Sequence, residues 1–214
     1  CGHFSLSHKH QGKKFLVIAN GPSIVLGKEQ IKEFIKKEQC VTIGTNLLQG
    51  NFIPDYHMFV SRKRFLKYAS SVSQQSILLV PSFFGKEIVQ ENFAGATVFF
   101  DLEEASTPNV PAIQGASQKV VNLNVAISSI LAALQMGASE IFAVGMDGYI
   151  DELNRKMVFF YNEDDVPDDK EVASYRYEML SSELDRVNRF LQDNSVPFSI
   201  ITPTSHRKYY RKAL

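Results

Sequence analysis

Small polar residues recur in this chain directly after apolar runs: Asn20-Gly21-Pro22-Ser23, Thr45-Asn46, Ser61-Arg62, Asp101, Gly145-Met146-Asp147-Gly148 and Thr204-Ser205. Together they supply amides, hydroxyls, a guanidinium and carboxylates, the groups that hold a nucleotide or a sugar. Gly21 has no Cβ, so its backbone can approach a ligand closely, and Pro22 suits the first position of a helix or turn. The same residues also make a plain tight turn, and the sequence leaves both readings open. Asp147, between Gly145 and Gly148, either meets a ribose hydroxyl, a sugar hydroxyl or a magnesium-bound water, or simply forms a turn. Arg62 and Arg64 are phosphate clamps or solvated loop charges. Tyr175 and Tyr177 either stack on or donate to a ligand, or pack their own helix. The basic and aromatic run from Arg207 to Lys212 is a solvated end, with contact to phosphate or a membrane surface as the other reading.

Sharper chemistries fail on residue identity. A dinucleotide fingerprint needs glycine at position 23, where Ser23 stands, so NAD is not expected. Gly21 with Gly27-Lys28 resembles a phosphate loop, but the spacing is one residue too long and Glu29 replaces the hydroxyl residue. His3, His8 and His10 sit near the start, while His57 and His206 stand alone, a poor basis for a metal site. His57, in an apolar strand, is expected to be packed or hydrogen-bonded. Two cysteines, Cys1 and Cys40, cannot by themselves build a disulfide framework or a zinc site, and a reducing compartment is the simpler assumption. Lys+Arg and Asp+Glu balance at 23 each, which argues against duplex nucleic acid as a partner. No apolar run reaches the length of a membrane span and no signal peptide is evident, so a cytoplasmic location is expected. The chain begins at Cys1 rather than Met, and the expectation is a domain excised from a longer parent with an additional domain.

At 214 residues one domain with a full core suffices, spanning 13–214 after a terminal extension over 1–12. Strands are expected at 15–19, 40–44, 56–60, 77–80, 96–100, 140–144 and 197–201, each a short apolar run closed by turn residues. Ile31, Phe34 and Ile35 give 28–37 an amphipathic helical spacing, and 65–72 could form a short helix. An apolar, buried helix is capped by Asn122 or Asn124 and stopped after about Met136 by Gly137. A long helix follows at 172–193. The segment 102–118 reads as a loop long enough for a role over a site, and the acidic stretch 163–169 as a surface loop. Strands alternating with helices predict an α/β, Rossmann-like fold: a mainly parallel twisted sheet with helices on both faces. In such a sheet all strands end on one edge, where ligands bind. Asn20, Gly21, Pro22, Ser23, Thr45, Asn46, Arg62, Gly145, Thr204 and Ser205 are therefore expected to bind the ligand. Asp147, Tyr175 and Tyr177 are expected to take part in chemistry, with Asp147 also the candidate metal ligand.

The order of these segments resembles the bacterial sialyltransferases of mucosal pathogens, the motility-accessory-factor proteins and the archaeal hydroxymethylpterin diphosphokinase-like domains. The carriers are Ile18-Ala19-Asn20-Gly21-Pro22-Ser23, then Thr45-Asn46, then Leu134-Gln135-Met136-Gly137-Ala138-Ser139-Glu140-Ile141 leading to Val144-Gly145-Met146-Asp147-Gly148-Tyr149, and finally Thr202-Pro203-Thr204-Ser205. The resemblance implies a Rossmann-like nucleotide-binding fold with Asn20, Gly21, Ser23 and Asn46 lining the nucleotide pocket. In the sialyltransferases the nucleotide is cytidine monophosphate joined to an acidic sugar. Transfer is a displacement at the anomeric carbon, assisted by a histidine base and by tyrosines that help the phosphate leave. This chain has Asn124-Val125-Ala126 where Thr-Ser-Gly is expected, and no histidine in 168–182, which offers Tyr175, Tyr177 and Glu178 instead. The implied function is a transferase using a nucleotide-sugar or nucleoside triphosphate and a small-molecule or glycan acceptor, in surface glycoconjugate or polysaccharide synthesis. A diphosphokinase-like version would bridge nucleotide phosphates with magnesium held by carboxylates such as Asp147. A third reading is a binding domain without chemistry, attached to an enzyme domain.

Overall fold

The computed structural model describes residues 6–102, 119–120, 124–148, 159–160 and 170–214. In chain order these form β1 (Lys14–Ile18), α1 (Ser23–Leu26), α2 (Lys28–Glu38), β2 (Val41–Thr45), β3 (Tyr56–Met58), α3 (Arg62–Tyr68) and β4 (Ile77–Pro81). Then come α4 (Lys86–Asn92), β5 (Thr97–Leu102), β6 (Lys119–Val120), α5 (Val125–Gln135), β7 (Glu140–Val144), α6 (Lys170–Asp193) and β8 (Phe198–Ile200). Every described strand pairing is parallel. The order across the sheet is β6-β5-β4-β3-β2-β1-β7-β8, with two-residue β6 extending the edge beside β5. The α/β, Rossmann-like architecture expected from the alternation is what the chain adopts. Among the described residues no helix is long and apolar enough to cross a membrane.

β1 explains why the sheet is covered twice. Side chains alternate across a strand, so Phe15, Val17 and Ala19 pack with α5 and α6, while Leu16 and Ile18 pack with Ile24, Ile31 and Phe34 of α1 and α2. A strand buried on both faces must be an unbroken apolar run, which Phe15-Leu16-Val17-Ile18 is. α5 is buried nearly all round, as its composition requires. Its N-cap is Asn124, whose Oδ1 accepts from the Ala126 and Ile127 amides at 3.0 and 3.3 Å. At the other end Gly137 turns the chain with φ +91°, a conformation that favours glycine.

Residues 6–12, placed by the sequence in a terminal extension, close the end of α5. The amides of His8, His10 and Gly12 donate to the carbonyls of Gln135, Met136 and Gly137 at 3.0, 2.9 and 2.8 Å. Those carbonyls are among the groups a helix end leaves unpaired. Leu6 is buried in the same core cluster as α5.

Three local expectations change. α3 begins at Arg62 rather than near residue 65, because Ser61 acts as its N-cap and accepts from the Arg64 amide at 3.4 Å. The basic triplet is thus the first turn of a helix, not the loop closing β3. α4 and β6 carry too few apolar residues for a periodic signal, and the sequence did not announce them. The Arg207–Lys212 run is exposed in its charges but not loose. Tyr209 is buried, its hydroxyl donating to Asp185 Oδ1 at 2.5 Å, and Lys208 pairs with the same carboxylate. The Arg211 amide donates to Ile200 O at 2.9 Å, its guanidinium pairs with Glu140 at 3.0 Å, and Tyr210 bridges Ile200. The tail therefore runs along β8. The loops expected over 103–118 and 163–169 lie outside the described residues, as does Asn122.

Leu16 sits wholly inside the sheet, whereas Leu26 is 86% exposed. Leu16→Ala is expected to lower the unfolding free energy by roughly 2–5 kcal/mol and Leu26→Ala by no more than about 0.5 kcal/mol, read as shifts in the urea midpoint.

Candidate functional site

Strands β2 to β6 lie on one side of β1, and β7 and β8 on the other. The chain direction across the sheet therefore reverses between β1 and β7, and the loops leaving those two strands part to form a crevice. Its volume is about 150 Å³, and it is bordered by Asn20, Gly21, Thr45, Asn46, Gly145 and Asp147 from the strand ends. Ser61 and Arg64 at the start of α3, Asn124 to Ala126 at the start of α5, Phe159, and Leu180 of α6 complete it. Segments far apart in sequence do deliver their polar groups to one rim.

Asn20 spends its amide on the protein itself. Its Nδ2 donates to the carbonyls of Thr45 and Leu47, both at 3.0 Å, and its Oδ1 accepts from Thr45 Oγ1 and Asn46 Nδ2, both at 3.1 Å. The ends of β1 and β2 are thereby clamped together. Asn46 adopts a left-handed conformation, φ +46°, which asparagine tolerates better than most residues. Its carbonyl accepts from His57 Nε2 at 2.6 Å, which fixes the tautomer of that imidazole. His57 is stacked on Phe59, and burial holds its pKa down to about 4. Asn46 Oδ1 is buried with no hydrogen-bond partner among the described residues.

Asp147 joins the two sides of the crevice. Its Oδ2 accepts from the Ser23 amide at 2.9 Å and its Oδ1 from the Ser23 hydroxyl at 2.5 Å. Nearby, the Gly21 amide donates to Gly145 O at 2.8 Å. A Cβ on Gly21 would lie 2.5 Å from Asp147 Cγ and 2.6 Å from Gly145 O. Glycine is thus required at position 21 by the protein's own carboxylate. Burial raises the Asp147 pKa, and the two Ser23 bonds oppose that rise. Among the described residues no group of His, Cys, Asp and Glu is placed to hold a metal ion, and Asp147 stands as a single carboxylate with both oxygens engaged.

The remaining expected residues fall around this centre. Pro22 occupies the cap position of α1 with φ −61°. Thr204 Oγ1 donates to Met146 O at 2.6 Å, and the Ser205 amide donates to Asp147 O at 3.1 Å, so both brace the loop after β7. Tyr177 donates to Ser205 O at 3.1 Å and stacks on His206, while Tyr175 is 62% exposed on α6. Neither tyrosine borders the crevice. Arg62 is exposed, and Arg64 takes the position at the crevice instead, its guanidinium carbon 5.7 Å from the Phe159 ring centre. The helical period could have found it: residue 64 lies three beyond the cap Ser61 and shares its face. Asn124 was legible only as a cap, and no pattern marked Phe159. Asp101 is exposed at the end of β5, away from the crevice, and Tyr149 lies outside the described residues.

Removing the Asp147 carboxylate strands the Ser23 amide and hydroxyl in a buried place. Asp147→Ala is expected to cost about 1–3 kcal/mol of stability in urea unfolding. A pH dependence follows from the histidines. Burial holds His57 and His206 each at about 4, below the ordinary 6.5. Between those values the unfolded chain binds more protons, so the stability present above pH 6.5 is lost as pH falls toward 4. The raised Asp147 pKa acts in the opposite sense, favouring the fold at low pH and losing that contribution as pH rises. The urea midpoint is expected to drop from pH 7 to pH 4.5, with a smaller drop in His206→Gln. No family model matches this chain, and no curated protein matches it.

Proposed function

We propose that this chain is a transferase domain that binds a nucleotide or nucleotide-sugar, sialyltransferase-like in its chemistry and serving surface glycoconjugate synthesis. One observation carries the reading: Asn20, Asn46, Gly145 and Asp147 border a single crevice at the reversal between β1 and β7. These are also the positions on which the resemblance to nucleotide-dependent transferases rests. A carboxylate offers about four lone-pair directions, and Ser23 occupies two at Asp147. The remainder are available to a ribose or sugar hydroxyl, which Asp147 would orient. Asn20 and Asn46 shape the pocket floor as neutral amides, so a charged ligand meets no buried like charge there.

A second reading, a nucleotide-binding domain without chemistry, is favoured by the positions of the tyrosines. The Tyr177 hydroxyl is committed to Ser205, Tyr175 is exposed and does not border the crevice, and the segment 168–182 has no histidine. A magnesium-dependent diphosphokinase-like reaction has one described crevice carboxylate in its favour, Asp147.

The test is thermal unfolding with cytidine, uridine, adenosine and guanosine mono- and triphosphates, with and without magnesium. At a hundredfold excess over the dissociation constant, a ligand stabilises by about 2.7 kcal/mol, a shift of several degrees. Stabilisation by cytidine monophosphate without magnesium is expected; silence across the whole panel defeats the proposal. Release of cytidine monophosphate from its sugar conjugate separates the transferase from the binding domain.

A further inference from the structure

Resting on that reading, we infer that Asn46 selects the ligand, its side-chain oxygen accepting a hydrogen bond from an O–H or N–H of the nucleotide. Asn46 borders the crevice and is 3% exposed, and its Oδ1 has no hydrogen-bond partner among the described residues. A buried oxygen left without a donor is costly and calls for a physical reason. A donor carried in by the ligand is such a reason, and an acceptor brought to the same point would be rejected.

The amide cannot relieve itself by turning over. Asn20 Nδ2 faces two carbonyls, Thr45 O and Leu47 O, both at 3.0 Å, so that end of Asn20 has to be its NH2 group. Its other end is then the oxygen, which lies 3.1 Å from Asn46 and 3.1 Å from Thr45 Oγ1. The Thr45 hydroxyl has one proton and also lies 3.1 Å from Ile18 O, so Asn20 relies on Asn46 for a donor. Asn46 must therefore turn its NH2 to Asn20, and the atom left over is an acceptor. The backbone of Asn46 is engaged away from the crevice, with its N–H donating to Met58 O at 3.2 Å and its C=O accepting from His57 at 2.6 Å. Both bonds hold the left-handed turn at φ +46°, so the acceptor is placed before any ligand arrives. A base amine and a sugar hydroxyl both supply the donor it lacks.

The experiment measures dissociation constants by calorimetry for cytidine monophosphate against uridine monophosphate, which exchanges the amine for a carbonyl, and against its 2′-deoxy and 3′-deoxy forms. The intact chain and Asn46→Gly are compared, since glycine accepts the left-handed turn and leaves Thr45 Oγ1 beside Asn20. In one comparison the donor-bearing member is expected to bind the intact chain about ten- to a hundredfold more tightly. That comparison identifies base amine or sugar hydroxyl as the source. Asn46→Gly should erase the preference while the member lacking the donor keeps its affinity, which also shows that the variant is folded. If the variant binds neither member, the Asn46 side-chain carbonyl carbon decides, followed by NMR in the intact chain. A shift with the donor-bearing member alone supports the assignment, and equal shifts or none overturn it. Equal affinities in every comparison, or a preference that survives Asn46→Gly, overturn it and leave the nucleotide reading intact. Binding of none of these ligands to the intact chain defeats both.

Discussion

The structure depends on one close approach, the Asp147 carboxylate lying where a side chain on Gly21 would begin. At the reversal of a doubly covered parallel sheet the loops after β1 and β7 diverge, and the backbone bonding of the two strands runs on past their ends through Ala19 and Gly21. Asp147 bridges the gap through both Ser23 donors, and Gly21 bonds Gly145 beneath it. The bridge is itself braced. Gly145 N–H donates to Thr202 Oγ1 at 3.1 Å, Thr204 holds Met146, and Ser205 ties Asp147 to Tyr177 on α6. The residue expected from sequence to take part in chemistry is thus a structural tie in the crevice wall.

The opposite wall is built without charge. Asn20, Thr45 and Asn46 form a buried amide and hydroxyl cluster, and His57, held neutral by burial, donates to the backbone behind it. Buried polar groups are tolerable when paired, whereas buried charges cost far more. The crevice thus has a neutral floor on this side, with Arg64 and the start of α5 elsewhere on its border.

Much of this was legible in the sequence because the apolar runs of a doubly covered sheet leave little ambiguity. Phe15 to Ile18 has no other stable use, and a helix as apolar as α5 has to be buried. The convergence of Asn20, Asn46 and Asp147 followed from parallel strands sharing one edge. What the sequence hid were matters of side-chain direction and tertiary pairing. Nothing local says that Gly21 makes room for Asp147, more than a hundred residues away. Arg62 and Arg64 look alike in a string, and only the cap at Ser61 decides which faces the crevice. Tyr177 and His206 share no pattern in the sequence, yet they stack with ring centres 4.9 Å apart. Short α4 and two-residue β6 fall below the length at which periodicity carries information.

The path of residues 207–211 along β8 has an effect on how molecules of this protein meet. An outermost strand normally presents a row of open N–H and C=O groups on which a foreign strand can dock. Here Arg211 N–H takes the Ile200 carbonyl and Arg211 also anchors to Glu140, while Tyr209 and Lys208 fasten the covering segment to Asp185. The chain's own tail thereby takes up part of the edge of β8, leaving fewer open backbone groups there for a foreign strand.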